Sequence, residues 1–73
     1  MARTKTDYLT DVQQRILHLI RESIADRGEA PTVAELRAET GLSTGGVHYQ
    51  LRELEAKCAI RREPGQARGI RLT

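Results

Sequence analysis

Residues 31–54 read PTVAELRAETGLSTGGVHYQLREL, and the helix and turn signals in them specify the architecture of the chain. Thr32 and Glu35 have the three-residue spacing of a capping box, so a short helix should begin here and end near Thr40. Gly41 can adopt a positive φ at little steric cost, which suits the turn that follows. A second helix begins a few residues later. The pattern predicts two amphipathic helices joined by a tight turn, a helix-turn-helix.

The second of these helices is predicted over residues 44–57, with Ser43 or Thr44 as its N-cap. Leu42, just before it, should fill the corner between the two helices. At 100° per residue, one side of the helix collects four apolar residues, and this stripe is expected to be buried: Val47, Leu51, Leu54 and Cys58. Cys58 is therefore interpreted as a small core residue rather than a nucleophile.

An earlier helix is predicted over residues 11–27. Thr10 and Gln13 form another capping box at its start, and Gly28 suits a left-handed C-cap. Five apolar residues at spacings of three and four should share its buried face: Val12, Ile16, Leu19, Ile20 and Ile24. Residues 1–8 show no periodicity and are expected to form a flexible arm.

The C-terminal part of the chain predicts a hairpin. Residues 59–63 and 69–73 are separated by five residues that include Pro64-Gly65, a spacing that fits two short strands and a loop. Ile60, Ile70 and Leu72 should supply its inward side chains. The predicted fold is mainly α, of the α+β class: a winged helix-turn-helix of three helices and a two-stranded β-hairpin wing at 59–72, all within one domain of residues 9–73.

The composition argues against several classes of protein. The chain has 73 residues, 38% of them hydrophobic, and no Phe or Trp. Its core must therefore be small and aliphatic, with no room for a deep substrate cavity. One cysteine provides neither a disulfide nor a metal cluster, and no catalytic constellation is evident. No apolar run is long enough to span a bilayer or to act as a signal peptide. We expect a cytoplasmic protein with no enzymatic activity, cofactor, metal, membrane partner or small-molecule substrate.

The charges are distributed unevenly along the chain. Residues 57–73 carry a net +4, whereas residues 11–56 carry a net −3, and the whole chain carries +2. A basic end on a slightly acidic body is typical of a surface that meets phosphate. A solvated arginine-rich tail would have the same composition, so charge alone does not separate the two interpretations.

If the aliphatic stripe faces inward, the opposite side of the third helix is free to meet double-stranded DNA. The candidate contacts there and on the wing are Ser43, Thr44, Gly45, Gly46, His48, Tyr49, Arg52, Gln66 and Arg68. The glycines would let the backbone come close to DNA, or they merely ease the turn. Tyr49 would touch a base or phosphate, or pack against the wing. His48 would hydrogen-bond to DNA, or is a passive surface histidine.

Four segments of the chain together resemble the N-terminal DNA-binding domain of the LexA repressor family. They are LTDVQQRILHLI (9–20), PTVAEL (31–36), LRELEAKCAIRR (51–62) and GQARGIRL (65–72). The resemblance implies a bacterial repressor of the SOS response to DNA damage, associated with the nucleoid. It also implies that the third helix reads the major groove and that the wing contacts the backbone or minor groove.

The chain differs from the best-known members of that family at Gly45, His48 and Tyr49, where they carry polar and acidic residues, so the resemblance does not carry their operator over to this chain. Those members also have a C-terminal half that dimerises and cleaves itself, and we expect no such peptidase activity in these 73 residues. Two copies paired on a two-fold operator would bind more tightly than one. The alternative function is a protein-interaction module, because winged helices also dock proteins.

Overall fold

The computed structural model describes residues 9–73 and contains three helices followed by one hairpin. The elements are α1 (Asp11–Arg27), α2 (Val33–Thr40), α3 (Thr44–Ala56), β1 (Ile60–Arg62) and β2 (Ile70–Leu72). The two strands pair antiparallel. The predicted fold class is confirmed, and the predicted bounds of α1 and α2 agree with the structure. The third helix ends one residue earlier than predicted, and the predicted arm at 1–8 lies outside the described residues.

Each helix begins at a hydroxyl side chain. Thr10 and Thr32 form reciprocal capping boxes with Gln13 and Glu35, as their spacing predicts. Ser43 caps α3 by accepting a hydrogen bond of 3.0 Å from the Gly46 amide. The first two helices end at Gly28 and Gly41, both with φ of 75°, a conformation that is strained for residues with a Cβ. Local sequence therefore defines where the chain turns.

The aliphatic side of α3 forms the centre of the core. Val47, Leu51 and Leu54 have no exposed surface, which confirms their predicted burial. The helix packs against α1, α2 and β1. The other buried apolar residues surround this side: Leu9, Ile16, Leu17, Ile20, Ala30, Leu36, Ala59, Ile60 and Ile70. Leu42 is half-buried against the same cluster, in the corner that the sequence predicts for it.

A buried glutamine joins α1 to α3. The Gln13 side chain, only 3% exposed, donates from Nε2 to Gln50 Oε1 at 3.0 Å. Its Oε1 accepts from Lys57 Nζ at 2.7 Å and from the Thr10 amide at 3.1 Å. A buried amide without partners would destabilise the fold, so these bonds also favour one arrangement of the two helices. The sequence pattern indicated the capping role of Gln13 but not this link.

The predicted burial of Cys58 is wrong. Cys58 is exposed and has a left-handed φ of 62°. Its amide donates to the Glu55 carbonyl, and the next amide, of Ala59, donates to the Leu54 carbonyl. These two bonds define a Schellman C-cap with cysteine in the place usually taken by glycine. The chain has left the helical spiral by this residue, so extrapolating the helix periodicity fails, and Ala59 is buried instead.

Two further residues are more exposed than the sequence predicts. Val12, in the first turn of α1, is 41% exposed, and the neighbouring Gln13 takes the inward direction there. Leu72 is 37% exposed although it pairs with the buried Ile60 across the hairpin. The strand that packs closely against α3 is β1, so the end of β2 has less protein over it. None of the helices within residues 9–73 is long and apolar enough to cross a bilayer.

Gly69 closes the hairpin loop at a point where two backbone segments nearly touch. A Cβ at this position would lie 2.5 Å from the Glu63 carbonyl oxygen and 3.2 Å from that of Gln66. The Gly69 carbonyl also accepts the Glu63 amide at 2.8 Å, which extends the pairing of the strands toward the loop. Because backbone atoms cannot rotate aside, a side chain here must distort the base of the loop.

We therefore expect Gly69→Ala to lower the free energy of unfolding by about 1–3 kcal/mol, the range of overpacked sites. Urea denaturation followed by circular dichroism measures it. The matched control is Gly45→Ala, because a Cβ at Gly45 meets nothing within 4 Å. That control should gain up to about 1 kcal/mol from helix propensity. A Gly69→Ala variant as stable as the wild type would contradict the close approach.

Candidate nucleic-acid interface

The side of α3 opposite the core is open to solvent. Tyr49 is 52% exposed, and Gly45 and Arg52 are exposed on the same side. Thr44 is exposed at the start of the helix, whereas His48 and Gly46 are half-buried. The outward direction that the sequence predicts for Gly45, Tyr49 and Arg52 is the one found in the structure. Together with Thr44 these residues form one surface, called here the α3 face.

The two glycines at the start of α3 have different surroundings. A Cβ at Gly46 would lie 3.2 Å from Ser43 Oγ, the atom that caps the helix, and 3.5 Å from Leu42 Cβ. This close packing accounts for a glycine at position 46 without any ligand. Gly45 does not have a positive φ, and a Cβ there would meet nothing within 4 Å. Neither the turn nor the packing of the chain requires glycine at Gly45.

A groove separates α3 from the wing. It has a volume of about 670 Å³ and lies between His48 and Leu51 of α3, the first residues of α2, and wing residues 62–67. Gln66 is exposed on the wing side of this groove. Tyr49 is not among the residues that line it. Tyr49, 52% exposed, thus keeps about half of its surface open to solvent.

The Arg68 guanidinium, predicted to contact DNA, is engaged by acceptors of the protein itself. Its two terminal nitrogens, Nη1 and Nη2, donate to Oε1 and Oε2 of Glu35, both at 3.0 Å. Nη1 also donates to the Ala30 carbonyl at 2.9 Å, and Nε lies 3.6 Å from Glu29 Oε2. All three nitrogens thus face acceptors of the protein, and we remove Arg68 from the candidate DNA contacts.

This contact strongly lowers the pKa of the Glu35 carboxyl. The Arg68 hydrogen bonds and, second, the Thr32 amide lower the pKa of the Glu35 carboxyl from 4.5 to about 2. The same carboxyl raises the pKa of Arg68. Arg27 adds a longer ion pair of 3.4 Å to Glu35 Oε1. The Glu35 carboxylate is therefore held in its charged form, and it contacts residues of α1, of the start of α2 and of the wing.

The remaining wing arginines divide between two sides of the hairpin. Arg62 turns toward α3, where its Nε lies 3.7 Å from Glu55 Oε1. Arg61 and Arg71 pair directly across the ladder on the other side, and both are exposed. Within residues 9–73 neither has an ion-pair partner. The two-residue alternation of strands contains this information, so sequence reasoning could have placed Arg61 and Arg71 together once the register was assumed.

A helix-turn-helix with an exposed second helix, followed by a hairpin that flanks it across a groove, defines a winged helix-turn-helix protein. The family model described as LexA DNA binding domain matches residues 6–69. Relatives named LexA repressor are 47% identical over 64 residues in Sorangium cellulosum, 49% over 65 in Stenotrophomonas maltophilia and 46% over 69 in Clostridium acetobutylicum.

The chain therefore belongs to the LexA DNA-binding domain family, as its sequence resemblance indicated. The three alignments cover 86%, 88% and 92% of this chain. They cover 28%, 31% and 34% of the relatives, so the chain spans about a third of their length or less.

The lowered pKa of the Glu35 carboxyl predicts that the folded chain loses stability in acid. Because its pKa is lower in the folded chain, its contribution is complete above about pH 4.5 and is lost as the pH falls toward about 2. Wild-type unfolding free energy should therefore fall in this window more steeply than that of Glu35→Gln. Denaturation series at stepped pH measure both slopes.

The control for this measurement is Glu39→Gln, on the exposed side of the same helix, for which the structure gives no side-chain ion pair. It removes the same charge and should keep the wild-type slope. If Glu35→Gln and the wild type lose stability in parallel from pH 4.5 to 2, the Arg68–Glu35 contact does not form in solution.

Proposed function

We propose that the chain is a sequence-specific double-stranded DNA-binding domain that acts as a transcriptional repressor of the LexA type. The observation that carries the proposal is the α3 face: an exposed helix surface beginning at a glycine that neither packing nor backbone conformation requires. A helix that enters the major groove needs such a surface, because its first turns must reach base edges. Membership of the LexA DNA-binding domain family supports the same function.

Each candidate residue has a role that follows from its position. Gly45 lets the backbone approach the duplex, with Thr44 beside it, and Ser43 and Gly46 form the capped helix start, whose amides favour phosphate oxygens. Tyr49 is suited to a thymine methyl or a base edge, and His48 to a hydrogen bond at the groove. Arg52, one turn further along, would contact the backbone. Gln66 would reach the minor groove or a flanking phosphate.

The exposed pair Arg61 and Arg71 would add favourable charge near the phosphates. A single small module makes few contacts, so we propose that two copies bind a two-fold operator together. The site of action would be the nucleoid in the bacterial cytoplasm, within the response to DNA damage. Binding, without a catalytic step, is the activity proposed for these 73 residues.

Selection of duplexes from a random pool at two salt concentrations tests the proposal. Wild-type chain should enrich one motif, and the logarithm of its affinity should fall with the logarithm of salt by about 0.9 for each phosphate neutralised. Tyr49→Ala should lose on the order of 1–3 kcal/mol and relax the preference at one position. Failure to enrich any motif, together with salt-insensitive binding to a protein, would favour the protein-interaction module instead.

Gly45→Ala separates the needs of folding from those of binding. The added methyl has free space in the unbound protein, so the variant should be as stable as the wild type or up to about 1 kcal/mol more stable. On the selected duplex it should lose on the order of 1–3 kcal/mol, because the methyl enters the space between helix and DNA. Titration by fluorescence anisotropy measures this loss. Unchanged affinity would mean that α3 does not approach DNA at Gly45.

A further inference from the structure

Two wing arginines, Arg62 and Arg68, attach the wing to the rest of the domain through carboxylates, among them Glu29, 3.6 Å from Arg68 Nε. Arg68 forms the two-pronged pair with Glu35 of α2, with both oxygens of the carboxylate engaged at 3.0 Å. Arg62 lies near Glu55 of α3, with 3.7 Å between Nε and Oε1. The contact between Arg68 and Glu35 is the most directional, because two parallel hydrogen bonds specify orientation as well as distance.

The Glu35 carboxylate also belongs to the frame of the helix-turn-helix. Its Oε1 accepts the Thr32 amide at 3.0 Å, which completes the capping box of α2, and lies 3.4 Å from Arg27 of α1. The same oxygen receives Arg68 Nη1. One side chain thus joins the start of α2, the end of α1 and the wing, so the wing cannot shift relative to α2 without breaking this pair.

Besides these contacts, β1 packs against α3, and Arg68 Nη1 donates to the Ala30 carbonyl at 2.9 Å. Each strand has three residues, and Ile60 and Ile70 are the buried side chains of the two strands. Two-stranded hairpins of this size are at most marginally stable without further contacts. The Arg68 and Glu35 side chains remain 35% and 36% exposed, so their contact contributes direction more than burial.

We propose that Glu35 is a positioning residue for DNA binding: through Arg68 it holds the wing at the distance from α3 at which the wing tip meets the duplex. This role rests on the proposed function, and Glu35 would fulfil it through Arg68 rather than by touching DNA itself. Charge alone predicts that losing a carboxylate strengthens the attraction of a protein to phosphate. Loss of the Glu35 carboxylate should instead weaken binding.

The central comparison is Glu35→Gln with Glu39→Gln, which remove the same charge from the same helix. Glutamine at position 35 can still complete the capping box, so α2 should form in both variants. On the duplex selected by the wild-type chain, Glu35→Gln should bind roughly fivefold more weakly, as for the loss of one backbone or wing contact. Glu39→Gln should bind as the wild type or slightly more tightly. Equal affinity of the two variants would overturn the proposal.

A double-mutant cycle separates positioning from a general loss of stability. Gln66→Ala, at the exposed wing tip, should weaken wild-type binding but have little further effect in the Glu35→Gln background, because the displaced tip has already lost its contact. A merely structural effect of Glu35→Gln would leave the Gln66→Ala penalty unchanged. Additive losses would therefore count against the proposal.

Conservative changes of the arginine give a second test at constant charge. A lysine at position 68 keeps the charge but cannot form two parallel hydrogen bonds, so Arg68→Lys should bind as weakly as Glu35→Gln. The matched control is Arg21→Lys on α1, an exposed arginine with no ion pair within residues 9–73 and no proposed part in binding. It should bind as the wild type. Equal binding by both lysine variants would show that the two-pronged geometry has no role.

One measurement needs no DNA and separates this inference from the proposed function. Backbone ¹⁵N relaxation should show greater motion of residues 63–67 in Glu35→Gln than in Glu39→Gln. If the loop moves equally in both, the carboxylate does not hold the wing, whatever the chain binds. If the loop loosens but the wild-type chain enriches no duplex, the proposed function fails while the structural part of the inference stands.

Discussion

The enclosure of one side of α3 is the constraint from which the arrangement of this molecule follows. Val47, Leu51 and Leu54 are completely buried, and their helix contacts α1, α2 and β1. Burial of each such side chain contributes about 1.5–3 kcal/mol, a large share of the stability of a domain this small. A rotation of α3 by one residue would turn these side chains toward water. The direction of Gly45 and Tyr49 is therefore determined by the core, although neither residue belongs to it.

The wing depends on a different kind of interaction. Its strands are too short to be stable alone, and the contact between Arg68 and Glu35 links them to the helix-turn-helix through directional hydrogen bonds. Glu35, although acidic, thus helps to position the basic wing, because its contact with Arg68 orients the hairpin. The arginines left exposed on the hairpin, Arg61 and Arg71, lie on its outer side. Counting basic residues along the sequence does not distinguish the arginine that holds the wing, Arg68, from those that remain exposed, Arg61 and Arg71.

Much of the fold could be predicted because its signals are local. The capping boxes at Thr10 and Thr32 and the positive-φ glycine at Gly41 involve residues within three or four positions of each other, and all were confirmed. The error at Cys58 has a physical cause. Periodicity assumes that a helix continues, whereas a Schellman cap ends it and changes the direction of the next side chain. For Leu72 the predicted side of the strand is correct. Strand alternation, however, does not indicate how much of that side the helices cover.

The three helices, the starts of all three, the ends of α1 and α2, the turn before α3 and the hairpin could be read from the amino-acid order. Each of these depends on backbone preferences and on hydrogen bonds that span a few residues. Only the folded chain brings Arg68 to Glu35, 33 positions earlier, and Gln13 to Gln50. Such partners are chosen by packing, because an arginine or a glutamine has the same donors wherever it stands, and only the folded arrangement brings a particular acceptor within reach.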